Sequence, residues 1–461
     1  MEYKTEQQLL SKAEEAVGKT FYQIDQNNRL SGAGKGNLGQ VIEESHFGYE
    51  VNSNKEADFK ELGIELKVTP IKQNKNGTIS AKERLVLNII DFFEEVNKDF
   101  FTSSFWIKNE RLLLMFYLWQ PDINRGDYKI IKSYLHDYPK EDLEIIMNDW
   151  NTIVNKIKAG RAHELSEADT NYLGACSKGK NKSSERKQPF SDKMAMQRAF
   201  SLKSSYMTTL VRQIFNKEEL TRFTSPQELK NKTLEQSLLD KFSPYFGKTL
   251  SNIAEEQNIT VNSSSKSFLP EFISSLLGIK GTSLNKIEEF QKANIDLKTI
   301  RLEPNGKPRE HMSFKNIDFN EIANTEPEDL WIYDYFESTK LLFIIFEYKE
   351  TKSENKNREL YFNGIKLWNM PKDTIESTIL PFLYDLKKTV IEGIQLERIE
   401  QKNGFITKNN LPKPKSNGVC HIRPKAKNAQ DTTLLPDGRS ITKQAFWLDK
   451  EYIVKELQRN N

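Results

Sequence analysis

The sequence predicts a mixed α/β fold built twice in one chain, each copy a mixed β-sheet flanked by helices. Segments of the first half return in order in the second, strand-length apolar runs recur in both, and these runs alternate with stretches of helical spacing. "GKTFYQI" (18–24) returns as "GKTLSNI" (247–253), and "DFKELGIELK" (58–67) as "EFQKANIDLK" (289–298). "IKAGRAHEL" (157–165) returns more loosely as "VIEGIQLER" (390–398), "KGKN" (178–181) as "KAKN" (425–428), and "AFSLKSSY" (199–206) as "AFWLDKEY" (445–452). Each match is weak alone, but five in one order place a first domain at 1–220 and a second at 241–461. The polar stretch around 221–240 reads as a helical linker, and the two copies imitate a dimer within one chain.

Within the first copy, Thr5 and Gln8 have capping-box spacing for a helix bearing Leu9, Leu10, Ala13 and Val17. Strands are expected at 63–69, 84–90 and 111–118. Leu143, Ile146, Met147, Trp150, Ile153, Val154 and Ile157 recur at helical spacing before a stop at Gly160, which makes that face core. Met207, Leu210, Val211 and Ile214 mark a further helix.

At 461 residues the chain is long for one core, and 29% charged against 37% hydrophobic residues fits a folded protein with a polar surface. The longest apolar runs, "LLLMFYLW" (112–119) and "LLFIIF" (341–346), are strand-length and argue against a membrane span. Two cysteines, Cys176 and Cys420, offer neither a disulfide framework nor a zinc site, and a reducing cytoplasm is the expected compartment. A net charge of +3 is too small to imply nucleic acid, so that case rests on a local patch. Eight basic residues lie between Lys178 and Lys203, against only Glu185 and Asp192.

The glycine-rich stretch "LSGAGKGNLGQ" (30–40) is not a nucleotide phosphate loop, because Arg29 stands where the first glycine belongs and Gly36 replaces the hydroxyl residue. Its glycines allow close backbone approach to a ligand, and Asn37 can open a helix bearing Leu38, Val41 and Ile42.

Asp58, Glu65 and Lys67 carry the chemistry. On a strand, positions i and i+2 share a face, so Glu65 and Lys67 point the same way and Asp58 can reach them from the preceding turn. Two carboxylates and a lysine so placed suit Mg²⁺-assisted phosphodiester cleavage, in which hard oxygens hold the ion and it shares the scissile phosphate. With 65 acids in 461 residues, an acid-x-Lys triplet alone is also what an exposed ion-paired strand supplies by chance. The flanking sequence narrows the choice: K-G-x-x-G-Q-x-x-E at Lys35 to Glu43 precedes the trio, and "KERLVLNII" from Lys82 follows it.

With these motifs the chain resembles the MutH-type DNA nucleases and, more closely, the long Sau-type restriction endonucleases that cut at GATC. The likeness continues through "AHELSEADTNYLGACSKG", "QRAFSLKSSYMTTLVR", "VCHIRPKAKNA" and "AFWLDKEYI", so it spans nearly the whole chain. It implies a restriction-endonuclease-like fold in each half, Mg²⁺ as cofactor and double-stranded DNA carrying GATC as substrate. By position it makes Asp58 and Glu65 metal ligands, Glu43 a supporting acid, Lys67 the catalytic lysine, and Lys35 and Lys82 phosphate-contacting groups. DNA-binding residues are expected at Cys176, Ser177, Lys178, Lys180, Ser201 and Lys203 in the first half. In the second they are expected at Arg423, Pro424, Lys425 and Trp447, lysine and arginine being able to read guanine in the major groove.

In the second half Glu289, Asp296 and Lys298 keep acid, acid and lysine, but Ile273 or Ser274 stands where Glu43 would be. The resemblance makes this half a DNA-binding effector that engages a second GATC copy and does not cut, in a monomer or a transient DNA-bound dimer. It also implies a cognate DNA methyltransferase. The alternatives are a GATC-binding regulator without cleavage, which does not need the full first-half set, and a mismatch-repair nicking enzyme, which the duplication disfavours.

Overall fold

The computed structural model describes residues 3–31, 37–51, 54–178, 184–259, 268–401 and 404–459. Their contacts form two compact units, Met1–Ser237 with Gly281–Asn294, and Leu238–Lys280 with Ile295–Asn461.

The first unit is built on β1 (Ile64–Gln73), β2 (Leu85–Ile89), β3 (Arg111–Leu118), β4 (Ile130–Asp137), β5 (Leu173–Ser177) and β6 (Arg198–Leu202). β1 runs parallel to β3, β3 antiparallel to β4, and the short strand Ile79–Ala81 folds back on β1. A second, antiparallel sheet has the order β2-β6-β5. Residues Leu112 to Phe116 of β3 are completely buried, which explains an uninterrupted apolar run where a half-exposed strand would alternate. The helix Glu6–Glu14 buries Leu9 and Ala13 against Val41, Ile42, Ile64 and Leu113. Thr5 caps it by accepting the Gln8 N–H at 3.3 Å, but the Gln8 side chain turns to the Lys4 N–H (3.2 Å), so the expected box closes one residue early.

The helix Lys140–Lys158 buries Ile146, Trp150, Ile153, Val154 and Ile157 as its spacing predicts. Leu143 and Met147 are only partly covered, and the same face carries two fully buried acids, Asp142 and Asp149. Asp149 accepts the backbone N–H groups of Asn171, Tyr172 and Leu173 at 2.7, 2.6 and 3.0 Å, which fixes the start of β5. Gly160 ends this segment at φ +68°. A Cβ there would lie 2.4 Å from the Phe190 carbonyl oxygen, so the close approach requires glycine.

Asp142 is the centre of a buried ionic network. It receives the Lys292 ammonium at 2.5 Å, the Arg222 guanidinium at 2.8 Å and the Tyr206 hydroxyl at 2.9 Å. Glu288 pairs with the same two cations. Burial alone would raise the Asp142 carboxyl, but the two cations outweigh it and hold it below its ordinary value. The polar run expected as a helical linker is therefore tied down at Arg222. It contains the four-residue helix Pro226–Leu229 and leads into Leu234–Phe242.

Among the described residues, the second unit repeats the six strands β1 to β6, without a counterpart of Ile79–Ala81, as β7 (Ile295–Leu302), β8 (Met312–Asn316), β9 (Lys340–Tyr348), β10 (Leu360–Trp368), β11 (Cys420–Pro424) and β12 (Gln444–Leu448). β7 is parallel to β9, β9 antiparallel to β10, and the second sheet has the order β8-β12-β11. Ile295 pairs with Lys340 as Ile64 pairs with Arg111, so Asp296 and Lys298 occupy the places of Glu65 and Lys67. Phe343, Trp368, Leu383, Leu386, Ile422 and Phe446 lie in its core. No helix among the described residues is long and apolar enough to cross a membrane.

Candidate active site

A tight turn brings the first-unit acids together. Gly63, at φ +62°, ends a short 3-10 turn over Lys60–Leu62, and Phe59 bridges back to Ile64. Two reciprocal bonds lock the result: the Asp58 N–H donates to Glu65 Oε2, and the Leu66 N–H donates to Asp58 Oδ2, each at 3.1 Å. Lys67, on the same face of β1, donates to Glu65 Oε1 at 2.7 Å. The shared face expected from strand periodicity is therefore realised.

Glu43 comes from the other side, within the π-helical turn Ile42–His46 that continues the helix Asn37–Val41. Burial and the facing Asp58 carboxylate push its carboxyl up to about 7, with Lys67 opposing. Burial likewise raises Glu65, again against Lys67. Both shifts mark a pocket where negative charge exceeds its compensation.

One group is absent from the sequence reading. Lys108, in the helix Ser104–Asn109, lies 3.7 Å from Glu65 Oε1 and also donates to the carbonyls of Asn54 and Glu56 at 2.8 and 3.3 Å. It is forty-odd residues from the trio with no local pattern, and only the parallel pairing of β1 with β3, which follows Lys108 directly, brings it in.

The Lys82 ammonium stands 4.7 Å from the Trp119 ring centroid. Lys35 and Lys180 lie outside the described residues. Of the expected DNA-binding set, Ser177 and Lys178 are exposed at the end of β5, next to the hairpin that displays Arg186, Lys187 and Lys193. Cys176, Ser201 and Lys203 are buried, and the Lys203 ammonium donates inward to the Thr170 carbonyl at 2.5 Å. Arg198 is buried too and donates to the Ala175 carbonyl, so the eight-residue basic run is not one continuous patch.

The donor set fits a hard divalent cation. Asp58 and Glu65 offer carboxylate oxygens whose second lone pairs remain for coordination, and Mg²⁺ usually takes one or two carboxylates plus substrate phosphate and water, not a full protein cage.

The equivalent place in the second unit is chemically different. Asp296 accepts from Lys298 at 2.9 Å and from the Tyr335 hydroxyl at 2.5 Å, and its side chain is 45% exposed where that of Glu65 is 3%. Glu289 packs within the first unit. That carboxylate is fully buried and accepts from the N–H groups of Phe223 and Thr224 and from the Thr224 hydroxyl. Ile273 and Ser274 are buried, and Glu337 holds the position before β9 that Lys108 holds before β3. Arg423, Pro424 and Lys425 are exposed. The Trp447 indole donates to the Arg423 carbonyl at 3.1 Å, and the Lys425 ammonium donates to the Phe314 carbonyl. Burial and the neighbouring Lys298 charge lower the Lys425 amine. A cleft of about 250 Å³ there is lined by Lys298, Arg301, Arg309 and Trp447 among others.

Comparison with known proteins settles the family. The chain is 34% identical to the type II restriction enzyme Sau3AI of Staphylococcus aureus, over 99% of both chains. It belongs to the Sau3AI family of type II restriction enzymes. The family model described as DNA mismatch repair enzyme MutH matches this Sau3AI-family chain twice, at 47–149 and 277–380. The MutH proteins of Shewanella woodyi and Shewanella baltica (strain OS155) are 27% and 25% identical to it, over 46% and 45% of this chain and 93% and 95% of theirs. This member of the Sau3AI family is thus a site-specific deoxyribonuclease built from two tandem MutH-like lobes.

Proposed function

We propose that the protein cuts double-stranded DNA at 5'-GATC-3' with Mg²⁺, using the first lobe (1–220), while the second (241–461) binds another GATC copy as effector without cutting. The observation that carries this reading is the charge contrast between equivalent sites. The first gathers Glu43, Asp58 and Glu65 around Lys67 and Lys108, whereas in the second Asp296 faces Lys298, whose charge is felt in turn by Lys425. Acids in excess suit a metal, and lysines in excess suit a phosphate.

Asp58 and Glu65 would hold Mg²⁺, which would supply charge neutralisation at the scissile phosphate and activation of water. Lys67, anchored on Glu65, orients the attacking water or faces the developing phosphorane charge. Glu43, with its carboxyl near 7, is poised to hold or release a proton at neutral pH. Lys108 adds a second positive charge, and Lys35 and Lys82 are assigned to phosphate contacts with the DNA. Exposed Ser177 and Lys178, with Lys180, meet DNA directly, and the buried Cys176, Ser201 and Lys203 hold the strands that present them. Arg423, Pro424, Lys425 and Trp447 do the reading in the second lobe. A cell that keeps such an activity in its cytoplasm needs a methyltransferase for the same sequence.

A plasmid with several GATC sites is expected to give discrete fragments ending at GATC with Mg²⁺ and none with EDTA. Specific binding with intact plasmid under both conditions would identify a regulator instead. One-site plasmids are expected to be cut more slowly than two-site plasmids, and Arg423→Ala should erase that difference; equal rates on both would remove the effector role. Lys108→Ala is expected to slow cleavage on the order of 10²-fold in single-turnover assays without loss of DNA binding. Unchanged rates would make this lysine a purely structural tie to residues 54 and 56.

A further inference from the structure

We infer that the second lobe carries a structural site for a divalent transition cation of the zinc class, formed by His311, His421 and Asp449. Among the described residues, these are the one group of three or more potential ligands whose donor atoms lie within 4.8 Å of one another. They use two of the five histidines in the chain.

The donor atoms of the three converge. His421, on β11, is completely buried; its Nδ1 lies 2.5 Å from Asp449 Oδ1, and its Nε2 has no hydrogen-bond partner. Asp449 is the N-cap of the helix Lys450–Gln458, a position where aspartate normally accepts the N–H groups of the first turn. Here it makes no such bond; the Lys450 N–H donates instead to His311 Nδ1 at 3.2 Å. Its Oδ2 accepts the Lys415 N–H at 3.1 Å, while Oδ1 faces both imidazoles, 3.7 Å from His311 Nδ1. The two rings stand edge to face, with centroids 4.7 Å apart.

Two imidazoles and a carboxylate favour Zn²⁺ over Mg²⁺, whose ligands are oxygens. Tetrahedral ligands at about 2.0–2.2 Å from zinc stand about 3.3 Å apart, so the 2.5 Å contact at His421 Nδ1 opens and the 3.7 Å one closes by less than ~1 Å, and the ion takes the place of the Lys450 N–H on His311 Nδ1. His311 is partly exposed, which leaves a side for a water as fourth ligand. The ion would tie together β11, the end of β12 and the segment entering β8. His421 pairs directly with Trp447, and Arg423 lies two residues along the same strand, so the site stiffens the surface that presents both.

The test is a Co²⁺ titration of the full-length chain carrying Glu65→Ala, which disables the oxygen site of the first lobe. One Co²⁺ per chain with the intense visible bands of a four-coordinate nitrogen–oxygen site is expected, displaced by one equivalent of Zn²⁺ and not by excess Mg²⁺. His311→Ala, at the partly exposed edge, should weaken that binding at least 100-fold while the chain stays folded by circular dichroism. Zn²⁺ should raise the melting temperature of the parent protein and not of this variant. Absence of the bands, or bands that persist unchanged in His311→Ala, overturns the assignment.

Discussion

Glu65→Gln should cut DNA roughly 10³-fold more slowly, about 4 kcal/mol in the barrier, while folding as well as the parent. The substitution keeps volume and an acceptor for the Asp58 N–H, so the reciprocal bonds of the 58–66 turn survive. It removes one charge from a residue that is 2% exposed, and since burial already raises the Glu65 carboxyl, a neutral isostere relieves a desolvation cost. What it loses is the negative oxygen that anchors Lys67 at 2.7 Å and lies 3.7 Å from Lys108. Melting temperature and single-turnover cleavage measured together separate the two effects. If Glu65→Gln cuts within tenfold of the parent, the reading of this cluster as the cutting site fails.

Lys292→Met is expected to act oppositely, on stability first. It leaves Asp142 and Glu288, two buried carboxylates, to share Arg222 as their remaining cation. Breaking a buried pair in this way costs ~3–5 kcal/mol, or about 6–20 °C in the transition of a domain of this size. The double variant Lys292→Met with Asp142→Asn should recover much of that loss, because the uncompensated charge goes with its partner. The pH dependence follows from the sign of the shift. Asp142 is held below its ordinary value, so its contribution is present above the unfolded carboxylate range near ~4 and is lost as pH falls through the lower folded value. A melting temperature that Lys292→Met leaves unchanged at neutral pH would show the network to be a neutral contact.

Much of the fold was legible because its signals are local or repeated. The runs around 64–69 and 111–118 could only be strands, and the same order of elements returning after about 230 residues gave the duplication. The Asp58, Glu65 and Lys67 cluster was legible too, because strand periodicity and one short turn are enough to bring it together. Lys108 was not, since its route to Glu65 passes through pairing between strands whose starts are 47 residues apart, Ile64 with Arg111. Periodicity also could not show that Asp142 and Asp149 share the apolar face of the helix Lys140–Lys158, because acids are buried there only through partners supplied from elsewhere in the chain.

The same division runs through the second half. Sequence alone established that Asp296 and Lys298 repeat Glu65 and Lys67 and that no acid repeats Glu43, since these follow from alignment of the chain with itself. Only tertiary structure decided what became of Glu289, which by sequence completes the triad. Its carboxylate is buried under Phe223 and Thr224, whose N–H groups and hydroxyl take its lone pairs. The physical reason is that residue type and spacing state which groups can meet. Whether a carboxylate faces water, a cation or a backbone amide depends on which distant segment covers it.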